Sequence, residues 1–201
     1  MKKTLLISLL ALTSFAYAQT DLSVYYGYQF GSKTYDYYGT FRIHSAANYG
    51  AILEFGVRPD LMIQLQYMGS QTYGTLEPPY GVSTHLRSDI GINYYQVGMI
   101  RPFPVNQKLE AFGSFSLGAT QFAFQEDAYN DEWRFSLTLG LGAKIWLSDK
   151  IGLRLQSRLL VPVTWAGLGF YCGTGGCGTS ANAGSTMISG DVSGGLVFRL
   201  K

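Results

Sequence analysis

Trp133-Arg134-Phe135-Ser136-Leu137-Thr138-Leu139-Gly140-Leu141-Gly142-Ala143-Lys144-Ile145-Trp146-Leu147 decides the architecture. Its odd positions are apolar without a break, while its even positions, Trp146 apart, are small, polar or charged. A period of two sends successive side chains to opposite faces of a β-strand, so this stretch reads as one long strand with one apolar face. The rule repeats along the chain. Ile151 to Val163 sets Leu153, Leu155, Leu159 and Val161 against Gly152, Arg154, Gln156 and Arg158. Leu61 to Tyr67 sets Leu61, Ile63, Leu65 and Tyr67 against Met62, Gln64 and Gln66, and Tyr49 to Val57 sets Leu53, Phe55 and Val57 against Gly50, Glu54 and Gly56. Leu22 to Phe30, Leu109 to Phe122 and Ile188 to Leu200 follow suit. Ser88 to Arg101 is irregular: its parity slips at Tyr94-Tyr95, where a bulge or an end of the apolar band is expected. Eight strands and an all-β class result.

The connections alternate in length. Strands two and three join through Arg58-Pro59-Asp60, four and five through Phe103 to Asn106, and six and seven through Ser148-Asp149-Lys150. These are tight turns with turn chemistry. The other four connections, Gly31 to Asn48, Gly69 to Arg87, Ala123 to Glu132 and Thr164 to Met187, are longer and rich in Gly, Ser, Thr, Tyr and Asn. Short turns on one side and long loops on the other describe an eight-stranded antiparallel up-and-down transmembrane β-barrel. A soluble barrel or sandwich also alternates, but it turns a densely charged face to water. Here that face is mostly Gly, Ser, Thr and Gln, and several segments reach the ~9–11 residues that a tilted membrane strand needs.

With 14% of 201 residues charged, the chain is unlike a disordered tail or a nucleic-acid binder. Met1 to Ala18 has a basic start (Lys2, Lys3), an apolar run from Leu5 to Leu12 and the small-residue pattern Ala16-Tyr17-Ala18, which reads as a secretory signal peptide. The expected domains are therefore the signal peptide, 1–18, and the barrel, 19–201. Export to an outer membrane places the chain in an oxidising compartment of a Gram-negative bacterium.

This set of strands, turns and loops resembles the small outer-membrane β-barrels of the OmpA transmembrane-domain and OmpX type, over nearly all of Gln19 to Lys201. The end of the chain, Asp191-Val192-Ser193-Gly194-Gly195-Leu196-Val197-Phe198-Arg199-Leu200-Lys201, is similar to the terminal-strand signal read by the barrel assembly machinery. The resemblance implies that machinery as a partner through Leu196 and Phe198, with outer-membrane lipids and lipopolysaccharide around the barrel.

In such a barrel the polar set points into a narrow lumen that side chains fill. The inward charges are expected to be Glu54, Glu110, Lys144, Arg154, Arg158 and Asp191, three acidic and three basic. Centring the sixth hairpin on Asp149 sets Lys144 opposite Arg154, a pair that repels unless carboxylates lie nearby. A lower layer of Glu54, Glu110, Lys144 and Arg154 is therefore predicted, with Arg158 and Asp191 as a higher pair. The layer is either a static polar core or a gate whose pairs exchange to admit ions.

Cys172 and Cys177 lie in the last long loop, where a disulfide closing a small tip is expected. Two thiols without a neighbouring histidine make a poor metal site, and neither metal nor cofactor is expected. His44 and His85 fall in long loops. Ser83, His85 and Glu77 have the residue types of a lipid A deacylase but not its order or spacing, so no catalytic residue is assigned. Tyrosines in the loops suit either a contact surface or an interfacial girdle. A barrel of this kind with no assigned catalytic residue is expected to be non-enzymatic, with a structural or surface-interaction role through its external loops, where an extracellular partner could bind. A narrow gated, porin-like pore is the alternative, and a lipid A modifying enzyme stands behind it.

Overall fold

The computed structural model describes residues 19–36, 39–77, 86–124, 131–173, 176–185 and 188–200. The segment 1–18 lies outside them, as do Ser83 and His85. Eleven strands form a single antiparallel sheet: β1 (Thr20–Gln29), β2 (Ser32–Asp36), β3 (Gly39–Ile43), β4 (Ala46–Arg58), β5 (Leu61–Glu77), β6 (Leu86–Pro104), β7 (Leu109–Phe124), β8 (Glu132–Trp146), β9 (Ile151–Gly173), β10 (Gly176–Ser185) and β11 (Ser189–Arg199). Eight of these are the staves of a closed barrel, in the order β1, β4, β5, β6, β7, β8, β9, β11. Closure is direct, since β1 pairs with β4 on one side and with β11 on the other, from Asp21 opposite Arg199 to Gln29 opposite Asp191. No strand edge remains along the barrel wall, which satisfies the rule that a bilayer-spanning sheet must pair all its backbone groups internally.

The apolar face is turned outward. Along β8, Phe135, Leu139 and Leu141 are exposed while Ser136, Thr138 and Lys144 are buried. From Phe135 to Ile145 the apolar positions span about 34 Å of strand, or roughly 25 Å of height at a tilt of about 40°, which matches the apolar band of a membrane barrel. Above this band a row of rings crosses the outer wall: Tyr49 and Tyr67 have centroids 6.5 Å apart, Tyr67 and Tyr95 5.3 Å, and Tyr95 and Trp133 5.9 Å. Aromatic rings with a polar tip belong at that depth.

The short turns lie where the sequence places them. In the β6–β7 turn the Asn106 side-chain oxygen accepts from the backbone N–H groups of Lys108 (2.9 Å) and Leu109 (2.8 Å). Ser148 Oγ does the same for Ile151 N (3.1 Å) in the β8–β9 turn. These local bonds replace the ladder bonds that a reversing chain gives up.

Two expectations need correction. First, of the two readings of Tyr94-Tyr95 the bulge is absent, since the pairing of β6 with β5 and with β7 runs without a shift, while Tyr95 lies in the row of rings at the end of the apolar band. Ile90, Ile92, Tyr94 and Ile100 keep even parity and point inward, opposite Tyr95, Val97 and Met99 on the outside. Both faces of this strand are apolar, which is why the alternation fades there. Second, much of the chain expected as loop is strand. β5 continues to Glu77, β6 begins at Leu86, β2 and β3 form a hairpin within 31–48, and β9 and β10 form another within 164–187. Past the apolar band the outward face of a strand meets water instead of lipid, so the apolar marker that reveals a strand in lipid is absent.

Candidate functional site in the barrel lumen

Parity sends one residue in two of every stave into the lumen, and the charged ones meet near the short-turn end. Lys144 on β8 is fully buried. Its Nζ lies 2.9 Å from Asp21 Oδ2 and 2.5 Å from Glu54 Oε2, with Glu110 Oε1 at 3.8 Å. Arg154 on β9 donates through Nη1 to Glu54 Oε1 and through Nε to Gln156 (2.8 Å), and its guanidinium stacks over Phe112 at 4.4 Å. The register explains the grouping: Lys144 stands directly opposite both Glu110 and Arg154, and Asp21 opposite Glu54. Two cations on neighbouring strands are held in a buried place by carboxylates from across the lumen, as buried charges require.

Arg158 and Asp191 form a second centre further from the short turns. They face each other on β9 and β11, joined by Nε–Oδ1 (2.7 Å) and Nη2–Oδ2 (2.6 Å) bonds. This paired fork is the geometry that makes arginine–carboxylate contacts strong. Asn48 donates to Asp191 Oδ2 (2.8 Å), while Arg158 donates to the Tyr25 hydroxyl (2.8 Å), which itself donates to the Tyr67 carbonyl (3.1 Å). The Tyr25 hydroxyl fits because Gly50 faces it; a Cβ there would overlap both that hydroxyl and the Tyr67 carbonyl. Between the two centres runs a neutral tier in which Gln64 donates to Ser116 (2.7 Å), Gln96 to Ser136 (3.0 Å) and Gln156 to Ser193 (3.0 Å).

Toward the long-loop end the lumen is closed by apolar side chains. Met68, Ile90, Ile92, Tyr94, Phe122 and Leu160 belong to one buried cluster, with Tyr94 only 1% exposed. Among the described residues, the cavity that this cluster borders together with Gln29 and Ser189 holds about 10 Å³. At the short-turn end, by contrast, a cleft of about 320 Å³ bordered by Gln19, Arg58, Met62 and Glu110 opens below the charges. Solvent therefore reaches Glu110 and stops at Lys144. A path for ions would require both the charge layer and the apolar tier to move.

Asp21 and Arg199 belong to the lumen charge network and are not among the inward charges expected from the sequence. Asp21 is completely buried, and Arg199 Nε lies 3.5 Å from its Oδ1, with the guanidinium 3.9 Å above the Trp146 ring. Parity contained the signal: with Leu22, Val24, Tyr26 and Tyr28 outside, Asp21 must point in. The register sets Cys172 opposite Cys177 in the β9–β10 hairpin, while their side chains lie outside the described residues. His44 stacks on Tyr73 at 4.2 Å, and its Nε2 is 3.3 Å from Thr75 Oγ1. Among the described residues no group of three or more His, Cys, Asp or Glu side chains is arranged to hold a metal ion.

No protein-family model matches the sequence, and no curated protein is similar to it in sequence. Solved structures do match in fold. Neisserial surface protein A superposes with a TM-score of 0.57 at 11% identity, over 89% of this chain and 97% of that one. The outer membrane protein OprG from Pseudomonas aeruginosa gives a TM-score of 0.54 at 11% identity, over 91% of this chain and 97% of that one. At such identity the likeness is one of architecture: an eight-stranded transmembrane barrel of nearly the same extent.

Proposed function

We propose that this chain is an integral protein of a Gram-negative outer membrane, with its short turns in the periplasm and its long hairpins outside. Its role in this reading is structural or interactive: it spans the membrane on a sealed barrel and presents the β2–β3 and β9–β10 hairpins, with the tall ends of β5 and β6, to an extracellular partner. The observation that carries the reading is a pairing of opposites: the strands continue well past the apolar band, while the lumen beneath them is filled. Material invested above the membrane, with no open path through it, supports contact rather than passage. The reading is non-catalytic, and a narrow gated pore has the filled lumen against it.

The partners proposed at the membrane are lipid and lipopolysaccharide around the outer wall. The assembly machinery would meet the final strand, on which Leu196 and Phe198 lie at outward positions of β11. A Cys172–Cys177 disulfide in the external hairpin is supported by their opposed register. Replacing 32–43 and 166–183 by tight turns tests the reading. The shortened barrel is expected to insert as before, with cell-surface adhesion lost and permeability to small solutes unchanged. Adhesion kept and permeability reduced would contradict the proposal. Intact mass of the parent, two hydrogens short of the free dithiol, checks the bridge.

A further inference from the structure

Charge in the lumen is not distributed evenly around the barrel. The first four staves, β1, β4, β5 and β6, bring two carboxylates, Asp21 and Glu54, and no cation to the membrane-spanning lumen. The last four, β7, β8, β9 and β11, bring Lys144, Arg154, Arg158 and Arg199 against Glu110 and Asp191, a surplus of two positive charges. The halves are complementary, and their surpluses lie toward the two edges that must meet: β1 and β4 at one, β8, β9 and β11 at the other.

The contacts follow the same division. Lys144 to Asp21, Lys144 to Glu54, Arg154 to Glu54 and Arg199 to Asp21 all join the first staves to the last. So do the hydrogen bonds from Asn48 to Asp191, from Arg158 to Tyr25 and from Gln29 to Ser189. In an open sheet, β1 and β11 are its opposite edges, so none of these contacts exists before the barrel closes. Lys144 and Arg154 would then be adjacent like charges with only Glu110 nearby, a repulsion relieved when Asp21 and Glu54 arrive.

We propose that the lumen network is a closing clasp: the acidic first edge and the basic last edge draw the open sheet shut, and the Asp21, Arg199 and Trp146 contact fixes the register of the β1–β11 seam. The chemistry is charge pairing in a space that loses water as it closes, where attraction strengthens with each step of closure. Register matters because a slip of one residue would turn every side chain of the last strand to the wrong face.

The test separates closing from mere holding. Glu54→Gln and Arg199→Met are refolded into lipid vesicles, with folding and unfolding rates read separately from the heat-modifiable band on gels. Arg199→Met serves as the milder variant, because it leaves Asp21 paired with Lys144. Both are also placed in a circular permutant in which Lys201 is linked to Gln19 and new ends are opened between Val105 and Lys108, so that the β1–β11 seam becomes a hairpin. A clasp predicts folding slowed by about tenfold in the native chain order, a smaller change in unfolding, and less than about twofold slowing in the permutant. Folding at the parent rate with only faster unfolding, or equal slowing in both chain orders, would overturn it.

Discussion

Replacing Lys144 by methionine will lower the unfolding free energy of the barrel by about 3–5 kcal/mol, measured by urea titration in lipid vesicles. Methionine fills the space of the lysine stem, so packing changes little and the loss is electrostatic. What remains is Glu54, with Arg154 as its cation, and Asp21, with Arg199 at 3.5 Å as its cation and the Gln19 amide donating at 3.3 Å. Both carboxylates are completely buried, and a buried charge without its partner carries most of its desolvation penalty. Adding Asp21→Asn to Lys144→Met is expected to recover most of the loss, because the amide keeps the shape and removes the surplus carboxylate, while Glu54 stays paired with Arg154. A loss under about 1 kcal/mol would be the size of an exposed ion pair and would mean a hydrated lumen.

The second large effect lies on the opposite face of the same strand. Leu139 is 54% exposed in the middle of β8, five residues from Lys144 in sequence and on the other side of the wall. Leu139→Arg is expected to destabilise the barrel by about 2–4 kcal/mol in a bilayer, and Leu147→Arg, at the short-turn edge, by about 0–1 kcal/mol. Depth decides the difference. In a water-soluble barrel the same change at an exposed leucine would cost almost nothing and would improve solubility. Equal, small effects at both positions would therefore remove the membrane from the account.

These two residues also mark how far the sequence could be read. The eight staves and the inside-out parity were legible because lipid demands an apolar residue at every second position, and a run such as Phe135 to Ile145 leaves no other reading. Pairing across the lumen was harder: parity identifies inward residues, but only register and barrel stagger decide which of them meet. Asp21 escaped notice because it precedes the first apolar residue of its strand, so no alternating pair flanked it. Arg199 lies two residues from the end of the chain, beyond Phe198, where too few positions remain for alternation to mark a face. The apolar tier was hidden for a different reason. Ile90, Ile92 and Tyr94 look like lipid-facing residues by composition, and in β6 they read as a slip of parity rather than as side chains filling a closed lumen. The external strands gave no signal, since sheet whose outward face meets water lacks the marker that betrays sheet in lipid.

In the proposed function the barrel is sealed and its contacts are made above the membrane. Ion conductance across a planar bilayer tests it most directly, using protein whose insertion has been established by its heat-modifiable mobility. Silence over a wide range of salt and voltage is the predicted result, because the buried charge layer and the tier around Tyr94 both lie across the path. Discrete, salt-dependent openings would contradict it and turn Glu54, Glu110, Lys144 and Arg154 into parts of a gate.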